Sequence, residues 1–463
     1  MRPVWCITCA ALLSVWAAIK TAPAEETGAD LIQMIVTLLG DKDKEVRSLG
    51  LEQVRTEAKG AAATRQFAAQ LPKLPADAQV GLLSALADRS DTAARPAVVE
   101  LLGKSRDEEV RVAAIKALGP LGQQGDLGVL IPLLAGRSEA EKAAARRSLE
   151  KLQGKETDEA IAREMKHAAS PEKVALIEVL AVRRARETLS DILSATIDAD
   201  PKVRAAAMSA LGELAGPEQI SGMVQGVIKA AKGSERDAAE RSLALVCRRI
   251  PGTTGPSNAL LVAMDKLPQL DRIELLPALG RVGGSAALTR IEAAVADADP
   301  QLHAIGMRGL CNWPDASIAA RLVELAEKEP HPEHRTLALG AVIRVAPLAD
   351  KRTPTERLDL LKKAMTLATK DSQRNAVLKR ASAVRTADSL RFILPYLDQP
   401  SFSQQACESV VELAHHRELR EPNKGEFHRA LDRVIQTSQD ATVKDRAQRY
   451  KNNQTWVRPT GVK

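Results

Sequence analysis

The sequence predicts an all-α protein, a right-handed α-solenoid (superhelix) of about twelve helix pairs. A helix–turn–helix unit recurs along most of the chain. No stretch shows the period-two alternation of a half-buried strand. Aromatic residues make up only 2% of a chain that is 45% hydrophobic, and Ala and Leu dominate the apolar positions. Such small helix-forming side chains let helices pack about 8–10 Å apart.

The clearest copy of the unit spans residues 198–214. Asp200 is placed to cap a helix, and Pro201 fills the first helical position, where its missing N–H costs no hydrogen bond. A stripe of apolar residues at helical spacing follows: Val203, Ala207, Met208, Leu211 and Leu214. A second apolar stripe precedes the turn, within residues 189–197. The unit is therefore helix, Asp-containing turn, helix.

Copies of this unit lie at intervals close to multiples of 31–33 residues. The arginine at position 204 shows the register, because its counterparts are Arg47, Arg111, His303 and Arg335. The turn Asp-x-Asp recurs as well, at 41–43, 198–200 and 297–299. Calcium loops contain similar acidic spacing, but these turns lack the glycine and distant glutamate of such loops, so we predict helix capping.

The core at 198–214, Asp-x-Asp-Pro-x-Val-Arg-x-x-Ala-x-x-Ala-Leu-x-x-Leu, resembles the HEAT repeat and its short form, the PBS-lyase HEAT-like repeat of armadillo-type proteins. Weaker copies cover residues 29–450. The resemblance implies an exported bacterial solenoid. It is specific for architecture and says almost nothing about activity.

The first 24 residues have the features of a signal peptide. Arg2 precedes an apolar run from Val4 to Ile19, and small residues before position 25 suit cleavage near Ala24. The run is shorter than the ~20 residues of a membrane span. We predict a cleaved signal, an exported protein in the periplasm or outside the cell, and no integral span afterwards. The alternative is an uncleaved anchor.

The remainder divides at one interruption, the Pro- and Gly-rich stretch 251–256. It separates an N-terminal array, 25–250, from a C-terminal array, 257–450, which we expect to be continuous with the first. Residues 451–463 are polar and basic without helical period, so we predict a disordered tail.

Composition argues against nucleic-acid binding. The formal net charge is +7 over 463 residues, with acidic and basic residues mingled. Beyond the signal peptide the only tryptophans are Trp313 and Trp456, so stacking platforms for bases are scarce.

The sequence offers no convincing catalytic or metal constellation. His331 and His334 flank a proline, and His415 and His416 end a helix near Glu418. We interpret both groups as structural, with a zinc site as the alternative for the first and a metal site as the alternative for the second. We expect His303 on the surface and His334 to point inward. The three cysteines outside the signal peptide are expected to be buried, unbridged and inert, with a reactive thiol as the alternative: Cys247, Cys311 and Cys407.

The function predicted is therefore a non-enzymatic protein-interaction scaffold without cofactor or metal. A protein or peptide partner would occupy the concave surface lined by the second helix of each pair. Candidate partner-binding residues are the repeat positions Arg47, Arg111, Arg204, His303 and Arg335. We regard pairing of the arginines with the turn aspartates as their more natural role. The alternative is an enzyme or enzyme subunit of HEAT-like lyase or hydroxylase type. Function should lie where copies differ, at 251–256, 331–334 and 401–426.

Overall fold

The structure, a computed structural model, describes residues 24–154, 156–250 and 255–457. Within these ranges every regular element is an α-helix or a short 3-10 turn, which confirms the all-α repeat fold. No described helix combines the length and the hydropathy that crossing a membrane requires. The predicted signal peptide and most of the interruption at 251–256 lie outside the described residues. The handedness of the superhelix stays a prediction.

The chain divides into two compact units, residues 1–242 and 243–463, at a point inside a helix rather than at 251–256. The helices up to that point are α1 (Ala24–Leu39), α2 (Lys44–Thr56), α3 (Ala61–Ala68), α4 (Ala76–Arg89), α5 (Arg95–Lys104), α6 (Glu108–Leu121), α7 (Leu127–Leu130), α8 (Glu139–Lys151), α9 (Thr157–His167), α10 (Ser170–Arg183), α11 (Leu189–Ser194), α12 (Pro201–Leu214), α13 (Ile220–Lys229) and α14 (Ser234–Arg249).

The second unit continues with α15 (Asn258–Asp265), α16 (Gln269–Glu274), α17 (Leu276–Val282), α18 (Ser285–Val295), α19 (Pro300–Cys311), α20 (Ala319–Lys328), α21 (Pro332–Val345), α22 (Pro354–Leu367), α23 (Asp371–Ala381), α24 (Ala387–Ile393), α25 (Ser403–His415), α26 (Arg417–Arg420), α27 (Lys424–Thr437) and α28 (Ala441–Lys451). Taken in order, with α16 and α17 as one broken helix and α26 unpaired, the described residues form thirteen pairs.

The second helices of successive pairs pack side by side within each unit. In the first unit α6 packs against both α4 and α8, and in the second α19 packs against α17 and α21. Their shared faces bury Leu, Ile, Val and Ala, among them Leu82, Ile115 and Leu310, none of which is exposed. Each repeat therefore completes the core of its neighbour, as in other solenoids.

The Asp-x-Asp turns cap the second helices as predicted. At the first helix of this kind, the Asp43 carboxylate accepts from the Glu45 amide and the Asp41 carboxylate accepts from the Asp43 amide, both at 2.8 Å. The same pairs recur at 198–200 and 297–299, with N–O distances of 2.8–2.9 Å. One carboxylate oxygen of each of these acids accepts from a turn amide, which explains their spacing by capping.

Residues 451–457, predicted as part of a disordered tail, contact the last repeat. Instead of leaving the array at Lys451, the chain places the Trp456 ring 5.1 Å from the guanidinium carbon of Arg446. The Asn453 side-chain oxygen accepts from Arg420 at 3.0 Å. A cation over an aromatic face and a buried arginine hold this segment to the last repeat. Residues 458–463 lie outside the described part.

Replacing Gly280 by Ala should destabilise the second unit. A Cβ atom there would lie 1.9 Å from the carbonyl oxygen of Gly309 on the neighbouring helix α19. Because the Gly309 backbone cannot easily move aside, the free energy of unfolding measured in urea should fall by about 1–3 kcal/mol. The matched control is Gly340→Ala on α21, where a Cβ meets nothing within 4 Å; it should gain up to about 1 kcal/mol from helix propensity. Equal stabilities of the two variants would contradict this packing.

Candidate functional site

The repeat arginine Arg204 links two repeats. Its Nη1 donates to the turn carbonyls of Asp198 and Ala199, both at 2.9 Å. Its Nε and Nη2 donate to the two carboxylate oxygens of Glu235, in the first turn of the next second helix, at 2.8 and 3.1 Å. The residue is only 8% exposed. Arg204 thus closes its own turn and binds the following repeat with one planar group.

Arg47 and Arg111 make the same kind of contacts in earlier repeats. Arg47 donates to the Asp41 carbonyl at 3.0 Å and to the Asp77 carboxylate at 2.8 Å. Arg111 donates to the Leu102 carbonyl at 2.9 Å and to both oxygens of Glu141. We call these three pairs the first-turn ladder: Arg47–Asp77, Arg111–Glu141 and Arg204–Glu235. The backbone before each arginine contributes carbonyls, and the acid comes from the next repeat.

At Glu235 the ladder acid is held ionised. Burial alone would raise the pKa of Glu235, but hydrogen bonds from Arg204 and the Ala231 amide outweigh it and leave the pKa below its ordinary value. Because each ladder arginine already has an acidic partner, a role in binding another protein stays a prediction. Arg335 differs, since its Nη1 donates to the Glu329 carbonyl at 2.9 Å and its side chain lines a groove with Thr336.

A second set of arginines binds the opposite helix ends. Arg183, at the end of α10, donates to the carbonyls of Leu149, Glu150 and Leu152 at the end of α8, at 2.9–3.2 Å. Arg89 reaches the end of α2 in the same way, and Arg344 reaches the end of α19. We call Arg89, Arg183 and Arg344 the C-terminal clamps. Sequence reasoning missed them, although an arginine twelve or thirteen residues into a second helix was the available signal.

The first-turn ladder has different chemistry at positions 303 and 334. Positions 303 and 334 stand 99 residues after Arg204 and Glu235, and both carry histidine. His303 lies on α19 and His334 in the first turn of α21. The expectation of a surface position for His303 is wrong, because its side chain is 15% exposed and occupies the ladder site. His334 points inward as expected, also 15% exposed.

Four side chains converge at this point, His303, Glu329, His331 and His334, and we call them the His-Glu cluster. One ligand atom from each lies within 4.8 Å of those from the others. The Glu329 Oε1 is 2.9 Å from His331 Nδ1, 3.2 Å from His303 Nε2 and 3.6 Å from His334 Nδ1. The three imidazole ring centres are 5.1–5.7 Å apart. From the sequence, a zinc site was only the alternative for His331 and His334. No local pattern pointed to Glu329 or to the approach of His303.

Burial and hydrogen bonding define the state of the cluster. Glu329 is 5% exposed, whereas the His331 side chain is 53% exposed and faces solvent. Burial by itself would raise the pKa of Glu329, but the neighbouring His331 and His303 lower it overall, which favours the carboxylate. His334 Nδ1 is buried and has no hydrogen-bond partner. The cluster therefore combines an ionised buried acid with an unsatisfied imidazole nitrogen.

The other positions singled out in the sequence are structural. His415 Nδ1 lies 2.9 Å from the Tyr450 hydroxyl, and among described residues it joins no group of three metal-ligating side chains. Cys247, Cys311 and Cys407 are buried free thiols, as predicted. Burial raises the pKa of the Cys247 and Cys311 thiols to about 12 and that of Cys407 to about 11, which disfavours the nucleophilic thiolate form.

Comparison with known proteins supports the repeat assignment. Residues 65–150 match the family of HEAT repeats, which confirms the predicted resemblance. No curated protein matches this chain in sequence.

Several solved structures are similar at low identity. The karyopherin Kap121p bound to the SUMO protease Ulp1p is 12% identical, with a TM-score of 0.46 over 90% of this chain and 54% of that one. Kap121p bound to Ste12p is 13% identical, with a TM-score of 0.45 over 89% of this chain and 53% of that one. A structure of Kap95p with RanGDP is 10% identical, with a TM-score of 0.45 over 92% of this chain and 66% of that one. The chain spans about half the length of Kap121p.

Proposed function

We propose that this HEAT-repeat protein is a non-enzymatic scaffold that holds a protein or peptide partner outside the cytoplasm. Tandem repeats of this kind present long surfaces in which each repeat adds a strip to the binding face.

The proposal of export rests on the charged and apolar pattern of residues 1–24. Protein purified from the exported fraction should begin just after Ala24, and N-terminal sequencing checks this.

One groove carries the proposal. It has a volume of about 630 Å³ and crosses the second helices α4 and α6, inside the segment that matches HEAT repeats. Its floor is apolar, built by Val80, Leu83, Val112 and Ala113. Grooves of this size between helices, with a mainly apolar lining, suit an amphipathic helix or an extended peptide.

The rim of the groove selects the charge of the partner. Glu108 and Glu109 stand exposed at the start of α6 and line the groove, with Lys116 further along the same helix. A partner that places apolar side chains on the floor and a basic residue beside the two glutamates would match both features. The partner in this proposal is therefore a protein segment with an apolar face and a basic flank.

Other functions have less support. A nucleic-acid partner would need a one-sided basic stripe with aromatic side chains, and the chain has 2% aromatic residues. An enzyme or enzyme subunit of lyase or hydroxylase type is the alternative, and it would require a site for chemistry in addition to the groove. The repeat positions Arg47, Arg111, Arg204, His303 and Arg335 remain proposed secondary contacts at the edges of second helices.

Replacing Ala113 by Arg tests the groove. The half-buried Ala113 lies on its floor, so an arginine would fill the space and add charge to an apolar surface. A photo-crosslinking residue at the exposed Ser84, on the groove wall, should capture a specific partner with wild-type protein. The capture should fall at least about tenfold with Ala113→Arg, since burying an unpaired charge costs more than about 1.4 kcal/mol.

A matched control separates binding from folding. Ala206 occupies the equivalent position on α12, 93 residues later, and is also half-buried. Ala206→Arg should leave the crosslink unchanged. Equal capture by Ala113→Arg and wild type would reject the groove as the binding surface, and a substrate turnover by purified protein would favour the enzyme alternative.

A further inference from the structure

The His-Glu cluster has the composition of a transition-metal site. Imidazole nitrogen and carboxylate oxygen are ligands that Zn²⁺ takes, and four protein ligands fill its tetrahedral shell. In a tetrahedron with bonds of about 2.0–2.2 Å, neighbouring ligand atoms stand roughly 3.3–3.5 Å apart. The distances from Glu329 Oε1 to the three imidazole nitrogens, 2.9, 3.2 and 3.6 Å, bracket this value.

The hydrogen bond of His303 sets its ring for metal binding. Its Nδ1 lies 2.6 Å from the Val295 carbonyl oxygen. A carbonyl only accepts, so Nδ1 carries the proton, and in the neutral ring Nε2 presents a lone pair to the cluster. A ligating histidine with its other nitrogen bound to a backbone carbonyl is the usual arrangement at metal sites.

The same geometry leaves one buried nitrogen of the cluster unsatisfied. His303 Nε2 lies 3.2 Å from Glu329 Oε1. His334 Nδ1 is buried without any hydrogen-bond partner and lies 3.6 Å from the same oxygen. A divalent cation between these atoms satisfies all of them at once.

We propose that His303, Glu329, His331 and His334 bind one divalent transition-metal ion, Zn²⁺ by preference. The four ligands come from two neighbouring repeats, α19 on one side and the α20–α21 turn with the start of α21 on the other. The ion replaces the arginine–acid pair of the first-turn ladder as the link between repeats. With four protein ligands the site is closed, as in structural zinc sites. The exposed His331 edge gives the ion access from solvent.

The position of Glu329 strengthens the assignment. It stands 99 residues after Ala230, and both residues end the first helix of their pair, at α13 and α20. The ion pair of Arg204 and Glu235 needs no third side chain, and the residue at this position beside it is Ala230. At 303 and 334, where imidazoles have replaced the ion pair, a buried carboxylate has been added at that position.

Zinc titration of the full chain tests the proposal. Protein stripped of metal should bind one Zn²⁺ per chain by calorimetry, and X-ray absorption of the loaded protein should show four nitrogen or oxygen ligands and no sulfur. His334→Ala and Glu329→Ala should each weaken binding by about 100-fold or more, because they remove ligands rather than outer contacts. His428→Ala, a half-buried histidine outside the cluster, should leave binding unchanged.

A graft variant guards against misfolding as the cause of lost binding. His303→Arg, Glu329→Ala and His334→Glu together reproduce the set found at 204, 230 and 235. The graft should fold and show no stoichiometric zinc, and zinc should raise the melting temperature of wild type only. The proposal is overturned by absence of stoichiometric zinc in the wild type, or by undiminished binding in His334→Ala or in the graft.

Discussion

Arg204→Met is expected to lower the free energy of unfolding by about 3 kcal/mol, because it removes the buried guanidinium that binds both oxygens of the largely buried Glu235 carboxylate. Two turn carbonyls lose their donor as well. The methionine keeps most of the apolar stem, so the loss reports the guanidinium rather than packing. Urea unfolding of purified protein measures it.

The control for this variant is Arg146→Met in the same unit. Arg146 pairs with Glu178 across repeats at 2.7 Å, but both side chains are about 40% exposed. Exposed pairs contribute about 0–1 kcal/mol, so this variant should be close to wild type. If Arg204→Met were as mild, the first-turn ladder would be a surface feature and not a structural link.

The loss of stability caused by Arg204→Met should become smaller at acid pH. The pKa of Glu235 is lowered in the folded protein, so its contribution to stability is present above the unfolded pKa of about 4.3 and is lost as pH falls through the lower folded value. Without Arg204 the pKa of Glu235 is lowered less, because only the Ala231 amide and Arg236 then oppose the effect of burial, so the variant loses less stability in acid. The stability gap between wild type and Arg204→Met should therefore narrow below about pH 4.

Arg183→Met is expected to cost about 2–3 kcal/mol through loss of a C-terminal clamp. Arg183 donates to three carbonyls that end α8 and to the Asp158 carboxylate, and its side chain is 11% exposed. These carbonyls have no partner within their own helix, so they depend on this side chain or on water. Hydrogen exchange should also speed up in the last turn of α8.

Arg163→Met provides the comparison for the clamp. Arg163 is exposed on α9, the helix that precedes α10, and exposed substitutions of this kind stay within about 0.5 kcal/mol. Similar stabilities of the Arg183 and Arg163 variants would contradict the clamp.

The sequence predicted those features of the fold that depend on residues close together in the chain. The Asp200 cap and Pro201 start follow from local chemistry, and the structure has both. The pairing of Arg204 was assigned to the turn aspartates, because those acids are nearest in sequence. The side chains of Asp198 and Asp200 instead accept from amides of the turn, and Asp198 also pairs with Lys173. Arg204 therefore binds the turn carbonyls and an acid 31 residues away.

The His-Glu cluster was hidden for the same reason. His303 and Glu329 are separated by 26 residues, and no local pattern connects them. The ladder supplies the connection, since Arg204 with Glu235 and His303 with His334 have the same spacing of 31 residues. The prediction that function lies where copies differ does point to 331–334, but the chemistry there needs residues from the preceding repeat.

In our proposal, positions 303 and 334 form a ladder site in which metal ligands have replaced the ion pair. Urea unfolding of the graft variant in metal-free buffer tests it most directly. We expect the graft to be at least as stable as metal-free wild type, since the arginine introduced at position 303 and the glutamate introduced at position 334 would restore a hydrogen-bonded ion pair. A graft that is less stable by about 2 kcal/mol or more would contradict it, because the site would then not accept the ladder pair.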